Sequence, residues 1–320
     1  MELILGSVQA AYEKRLDHIT IEKKFFDQLC DTTDKDDLLP QRCDIDKRLN
    51  SVDPEEIFAF VVVYSSIAFS TWKKDYRQDE KIAGQSRGAN KLMDVLIAAK
   101  ENDYPITDAA WIAGMSRIDF DDIFADTEWK MMDERHENLK LVGKSVVEKF
   151  DGLFINILKC SGGSAINIVK LLNENMNGVF CDSCRFKGID LHFLKLAQLV
   201  VMITGYGLPH VRKEFQLSDL ELINALADYK IPQYLRHVGV LKYDEKLSAI
   251  VDGYNQIPFG NIFEIEIRIA TVCAVHFITN KLKKKYPFVT ELMVDMMLWN
   301  AAGDLGPGAR PHHLVRSKKY

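Results

Sequence analysis

The side chains best placed for chemistry stand close together in Ala227 to Leu241, ADYKIPQYLRHVGVL, where an acid, an aromatic and a base precede a proline and an apolar run. A fixed carboxylate such as Asp228 can stabilise developing positive charge or deprotonate an attacking water. It can equally cap a helix. Three other groups are weaker candidates. Cys181 and Cys184 form one C-x-x-C, but no second pair or histidine pair stands at zinc spacing, so two reduced cysteines in a turn are expected. CSGGSAIN lacks the remainder of a phosphate loop, so Gly162 and Gly163 read as a helix break whose amides could hold an anion weakly. His312, His313 and Arg316 make a basic cluster that reads as a solvated tail, with phosphate contact or metal binding as the alternatives.

The elements that must position Asp228 follow from periodicity. Proline disfavours helix at Ile231, so LSDLELINALA should be a helix stopping near Asp228, and a new helix should start at Pro232 and end at Gly239. That would put Asp228 in a tight corner between helices. DPEEIFAFVVVYSSIAF carries a cap at Asp53 and a first-turn proline. WKMMDERHENLKLVGKSVVEKF places Met132, Leu139, Val142, Val146 and Phe150 on one face. GGSAINIVKLLNEN, DLHFLKLAQLVVMI and FEIEIRIATVCAVHFITNKLKKKY also read as helices, although the alternation opening the last also fits a strand. Strand signals are limited to VGVLKY and a small hairpin within VFCDSC to FKGIDL. The expectation is an all-α fold forming one helical domain over 1–320. Residues 1–50 form a possible N-terminal helical layer with an acidic loop, CDTTDKDDLLPQRCDIDK.

Composition narrows the function. The chain has 320 residues, is 47% hydrophobic and 27% charged, and carries a net charge of −5. Such a chain can bury a large core, and it lacks the basic face that long nucleic acid requires. No apolar run is long enough for a membrane span, and no leader opens the sequence, so a cytosolic or nuclear protein is expected. Six cysteines in this length do not make a disulfide framework.

In LVVMITGYGLPHVRKEF, Gly205, Tyr206 and Gly207 resemble the helix-hairpin-helix turn of base-excision DNA glycosylases, with an ordinary loop as the alternative. In that superfamily an essential aspartate follows the hairpin, and the interval from Gly207 to Asp228 fits. The resemblance becomes specific over a longer range. ADYKIPQYLRHVGVLKYDEKL, FEIEIRIATVCAV, VDMMLW and PHHLVRSKKY, with AFSTW, PIT, ERHENLKLVGKSVVEKFDG and FKGIDLHFLKLAQL earlier in the same order, resemble the queuosine salvage family over about residues 48–320. This implies an all-α, DNA-glycosylase-like fold, with at most a short β-hairpin, that hydrolyses queuosine 5′-monophosphate and releases queuine without metal or organic cofactor.

On that resemblance Asp228 matches the family's catalytic aspartate and Lys195 its lysine, which would hold the acid ionised or bind phosphate. At about 4 Å and an effective dielectric of about 20 such a pair interacts by about 4 kcal/mol. Asp295 matches an aspartate suited to the donors of a deazaguanine, and Trp299 keeps an aromatic position; Trp72 closes the family's serine-aromatic run. Leu226 and Met296 replace rings, and Asn300 replaces an acid. Further departures lie near Lys47, Ala89 and Asn90 and at Thr71. The acid-base core is therefore kept while the grip on a flat base is altered. Two other functions remain open: a relative that binds a modified base without turnover, and a helical interaction module or nucleic-acid binder built on Gly205 to Gly207.

Overall fold

A computed structural model describes residues 2–40, 44–72, 88–306 and 308–320. Its helices run in the order α1 (Glu2–Glu13), α2 (Lys23–Thr32), α3 (Ile45–Arg48), α4 (Pro54–Ser66), α5 (Gly88–Glu101), α6 (Ala109–Gly114), α7 (Arg117–Ile123) and α8 (Met132–Lys149). The second half continues with α9 (Ile155–Ser161), α10 (Ala165–Asn175), α11 (Asn177–Phe180), α12 (Lys195–Met202), α13 (Lys230–His237), α14 (Glu245–Asp252), α15 (Ile262–Leu282) and α16 (Glu291–Gly303). With 59% of the residues helical and 7% in strands, the architecture is all-α.

Local sequence explains the principal helices. Asp53 caps α4 by accepting from the Glu55 amide at 3.0 Å, with Pro54 in the first turn. The Glu55 carboxylate in turn accepts from the amides of Phe154 at 2.8 Å and Ile155 at 2.6 Å, where α9 begins. Residues Ile57 to Ser66 are all buried, which marks α4 as a helix surrounded by protein. In α15 the alternating opening is helical: Asn261 caps it, and Glu264 and Arg268 stand one turn apart on a buried face. Helices α6 and α8 approach so closely that a Cβ on Gly143 would lie 2.4 Å from the Ala113 nitrogen and 2.6 Å from the Ala109 oxygen.

Strands serve as small clasps. The hairpin pairs β2 (Ser183–Phe186) with β3 (Ile189–His192), as the sequence suggests. Two further pairs join distant parts of the chain: β1 (Ile19–Ile21) runs antiparallel to β4 (Leu241–Tyr243), and β5 (Gln256–Ile257) runs parallel to β6 (Leu314–Val315). At the N-terminus, α1 and α2 both pack on α15. Within the acidic stretch, α2 reaches Thr32, Asp36–Leu38 form a 3-10 turn and α3 starts at Ile45; residues 41–43 lie outside the described set.

The apolar interior divides into three clusters. One gathers α4, α8, α10 and α12, a second α13, α15 and α16, and a third α1, the hairpin and one side of α15. Three consecutive residues belong to different clusters: Ala225 to the second, Leu226 to the first and Ala227 to the third.

Two expectations fail in this stretch. LSDLELINALA is not a helix: only Leu220–Leu222 make a 3-10 turn, and 223–228 are irregular, with the Asp228 amide turning back to the Leu226 carbonyl at 2.7 Å. Gly205 to Gly207 are neither a hairpin nor an open loop, because Ile203–Gly207 form a π-helical turn that prolongs α12. A Cβ on Gly205 would meet the Leu220 side chain at 2.6 Å, so the glycine lets that leucine close over the turn. The basic segment after it forms no α-helix, only a 3-10 turn at Lys213–Phe215. Among the described residues, no helix is long and apolar enough to cross a membrane.

Candidate active site

The irregular segment 223–228 survives in the interior because side chains from two helices accept from its amides. Gln198 on α12 accepts from the Asn224 amide at 2.9 Å. On α16, Glu291 accepts from Ala225 at 3.3 Å and Asp295 from Leu226 at 2.7 Å. Buried backbone donors must be met somewhere, and here they are met by residues far away in sequence. The segment ends at Asp228, whose Oδ1 accepts from the amides of Lys230 at 2.8 Å and Ile231 at 3.1 Å. Asp228 therefore caps α13, which begins at Lys230 and takes Pro232 into its first turn, and Gly239 with φ of 84° ends it. Its other oxygen takes no hydrogen bond from any described residue.

Lys195 opens α12 and is buried. Its Nζ donates to the Ala68 carbonyl at 3.0 Å and makes no direct ion pair with Asp228. Burial lowers the lysine's pKa, opposed by the charges of Asp228 and Asp295. Burial likewise pushes the Asp228 carboxyl up, opposed by Lys195 and the two capping amides. Lys195 thus pulls towards the ionised acid without contact, and desolvation of Asp228 outweighs that pull. Asp295 lies well above the usual carboxylate range, through burial first and the Asp228 charge second, with the Leu226 amide pulling the other way.

Two more segments border Asp228. Thr71 Oγ1 and the Tyr229 hydroxyl are 2.9 Å apart, and the Tyr229 ring stacks on His312 at 4.6 Å. Trp72 is buried beneath Lys130, whose Nζ lies 4.8 Å from the ring centre. The tail reading is overturned here. His312 and His313 are buried, and burial keeps both imidazoles neutral, His312 well below its usual value and His313 at about 3. His312 Nδ1 meets the His313 carbonyl at 2.8 Å, so that nitrogen carries the proton.

Of the residues singled out in the sequence, Asp228, Lys195, Asp295 and Leu226 come together. Leu226 sits in the core, with its amide on Asp295. Met296, Trp299 and Asn300 are half-buried on α16, and among the described residues no hydrogen bond or ring contact links them to Asp228. Lys47 lies on α3, and Ala89 and Asn90 lie on α5. The possible anion site at the start of α10 is filled from within: Asp219 accepts from Ser164 Oγ at 2.6 Å and from the Ile166 amide at 3.3 Å. Cys181 and Cys184 are free, and among the described residues no three metal-binding side chains assemble. Sequence reasoning missed Thr71 and Tyr229 as a pair, His312 as a wall, and Gln198 and Glu291 as supports. Only proximity in space connects them.

A buried carboxylate with one oxygen anchored and one open, near a buried lysine and a second acid, has the chemistry to stabilise a developing cation or to accept a proton. The chain belongs to the queuosine salvage protein family, which it matches over residues 49–320. It is 31% identical over 296 residues to the queuosine 5′-phosphate N-glycosylase/hydrolase of Mus musculus, covering 86% of each chain. It is 30% identical over 276 residues to the protein of that name from Sphaerobacter thermophilus, covering 86% of this chain and 85% of the relative. A third of that name, from Nematostella vectensis, is 25% identical over 290 residues, with 82% and 81% covered.

Proposed function

We propose that the protein hydrolyses the N-glycosidic bond of queuosine 5′-monophosphate, releasing queuine for salvage into tRNA. Water adds to the anomeric carbon, and the base departs with the electrons of the broken bond, through a sugar with oxocarbenium character. Asp228 is the residue assigned to this step. Its anchored oxygen fixes the carboxylate, while the open oxygen stabilises the sugar cation or takes the water's proton. A carboxyl raised by burial is a better proton acceptor near neutral pH than an exposed one. Lys195 is assigned to tune that acid. Asp295, Leu226, Met296, Trp299, Asn300 and Trp72 are assigned to the base, and the protein acts in the cytosol or nucleus without a metal or organic cofactor.

The observation that carries this reading is the open oxygen of buried Asp228 in a chain that matches the family over residues 49–320. The test is incubation of purified protein with queuosine 5′-monophosphate, following free queuine by chromatography. Binding of the nucleotide without release would instead identify a non-catalytic relative, the reading favoured by the rings lost at Leu226 and Met296.

A further inference from the structure

Arg135 is fully buried on α8, and no carboxylate lies within ion-pair distance among the described residues. Its Nη donors go to backbone carbonyls of two separate turns, while Nε has no partner among the described residues. Nη1 donates to Lys130 and, at 3.4 Å, to Met131; Nη2 donates to Phe69 and, at 3.2 Å, to Ser70. The guanidinium lies 4.5 Å from the centre of the Phe69 ring and 5.4 Å from that of Trp129. Burial draws its pKa down to about 10, so the group remains charged at neutral pH. Both turns hold a left-handed non-glycine residue, Ser70 with φ of 42° and Met131 with φ of 63°. Such backbone persists only where its surroundings over-determine it.

What this clamp holds is the segment leading to the candidate site. Ala68 supplies the carbonyl that Lys195 grips at 3.0 Å. Ser70 binds the C-terminal segment, its amide meeting the Tyr320 oxygen at 3.1 Å and its hydroxyl the Ser317 carbonyl at 2.9 Å. Thr71 meets the Tyr229 hydroxyl, beside Asp228. On the other turn, Lys130 covers the ring of Trp72.

We propose that Arg135 is a positioning residue for N-glycosidic cleavage: by clamping the Phe69–Ser70 turn to the Lys130–Met131 turn, it sets the Ala68 carbonyl that orients Lys195 and the Thr71 hydroxyl that orients Tyr229. The proposal rests on the functional reading above for the roles of Lys195 and Asp228. A lysine at 135 keeps the charge but cannot bridge carbonyls of both turns with a planar fork.

The test compares wild type, Arg135→Lys and Arg135→Met by circular dichroism, steady-state release of queuine, and mass-spectrometric acetylation of Lys195. The folded variants are expected to lose about 100-fold in kcat, as small misplacements near a reacting centre do, with KM changed by less than about threefold. Lys195 is expected to be acetylated about tenfold faster, since the carbonyl holding it is released. Folded variants with kcat within about twofold of wild type and unchanged acetylation would overturn the proposal. Should both Arg135 variants fail to fold, Arg135→Gln decides, because its amide fills the buried place yet can reach only one of the two turns. The same two changes are then expected, and wild-type values would overturn the clamp. A wild-type protein that releases no queuine sinks the functional reading instead, while Lys195 acetylation in the folded variants still decides the role of Arg135.

Discussion

Arg268 and Lys195 are both buried cations with acids around them, and the protein treats them in opposite ways. Arg268 makes a two-pronged pair with Asp182, stands 3.5 Å from Glu264, and is stacked between Phe193 at 3.9 Å and Tyr320 at 4.5 Å. Tyr320 closes the group by donating its hydroxyl to Glu264 at 3.0 Å. Asp182 and Glu264 drive the guanidinium pKa upward against burial, so the charge is secure. Lys195 has only a carbonyl, and burial pulls its pKa down. A cation paired directly with its acids fixes structure, tying α15, the β2 approach and the C-terminal segment together. A cation held off its acids leaves a carboxylate oxygen open, an arrangement that suits proton transfer.

The contrast can be broken from either side. Asp228→Asn should give the largest effect, a loss of about 1,000-fold or more in kcat without loss of fold, measured by queuine release alongside circular dichroism. Equal activity in that variant would remove Asp228 from the chemistry. Asp182→Ala attacks the other centre and should cost about 3–5 kcal/mol, because it strands Arg268 without its main partner. Urea unfolding reads this, and the turnover per folded molecule should stay close to wild type.

Lys195→Gln sharpens the electrostatic claim, with an expected loss of about 100-fold in kcat. Removing the cation takes away the main influence lowering the Asp228 pKa, so the acid limb of the kcat profile should move to higher pH. Asp295→Asn should do less to catalysis and more to stability. A carboxyl whose folded pKa is raised favours the fold at low pH, and that contribution is lost as pH rises through the folded value. The asparagine still accepts from Leu226 but cannot ionise, so melting temperature at pH 7 should rise by about 2–4 °C and vary less between pH 4 and 8. The smallest effect belongs to EDTA dialysis, which should leave kcat unchanged.

Helices marked by a cap or by one apolar face were legible in the sequence, as in α4 with Asp53 and Pro54 and α8 with its stripe from Leu139 to Val146. So were the turn at Gly162–Gly163, the hairpin, and the helix that Gly239 terminates. The stretch from Leu217 to Ala227 was not, because its leucines and alanines carry helix propensity while the deciding hydrogen bonds come from Gln198, Glu291 and Asp295. Propensity is a local quantity, and those partners are not local. The C-terminal histidines misled for a related reason: a basic, proline-bearing sequence reads as solvated until Ser70, Tyr229 and Glu264 are seen to receive it. Asp228 was legible as a cap from Pro232 and as an acid of interest from the resemblance. That the capping amides take only one of its oxygens emerged only from the geometry.

Ala225, Leu226 and Ala227 each anchor in a different apolar cluster, and this bears on how the protein matures. A chain in which any one cluster is still unpacked leaves the segment before Asp228 without part of its seating. Competence should therefore arrive late and all at once during folding, and a locally opened molecule should fall silent rather than act with misplaced chemistry. The segment works as an internal checkpoint, coupling the placement of Asp228 to completion of the interior around it.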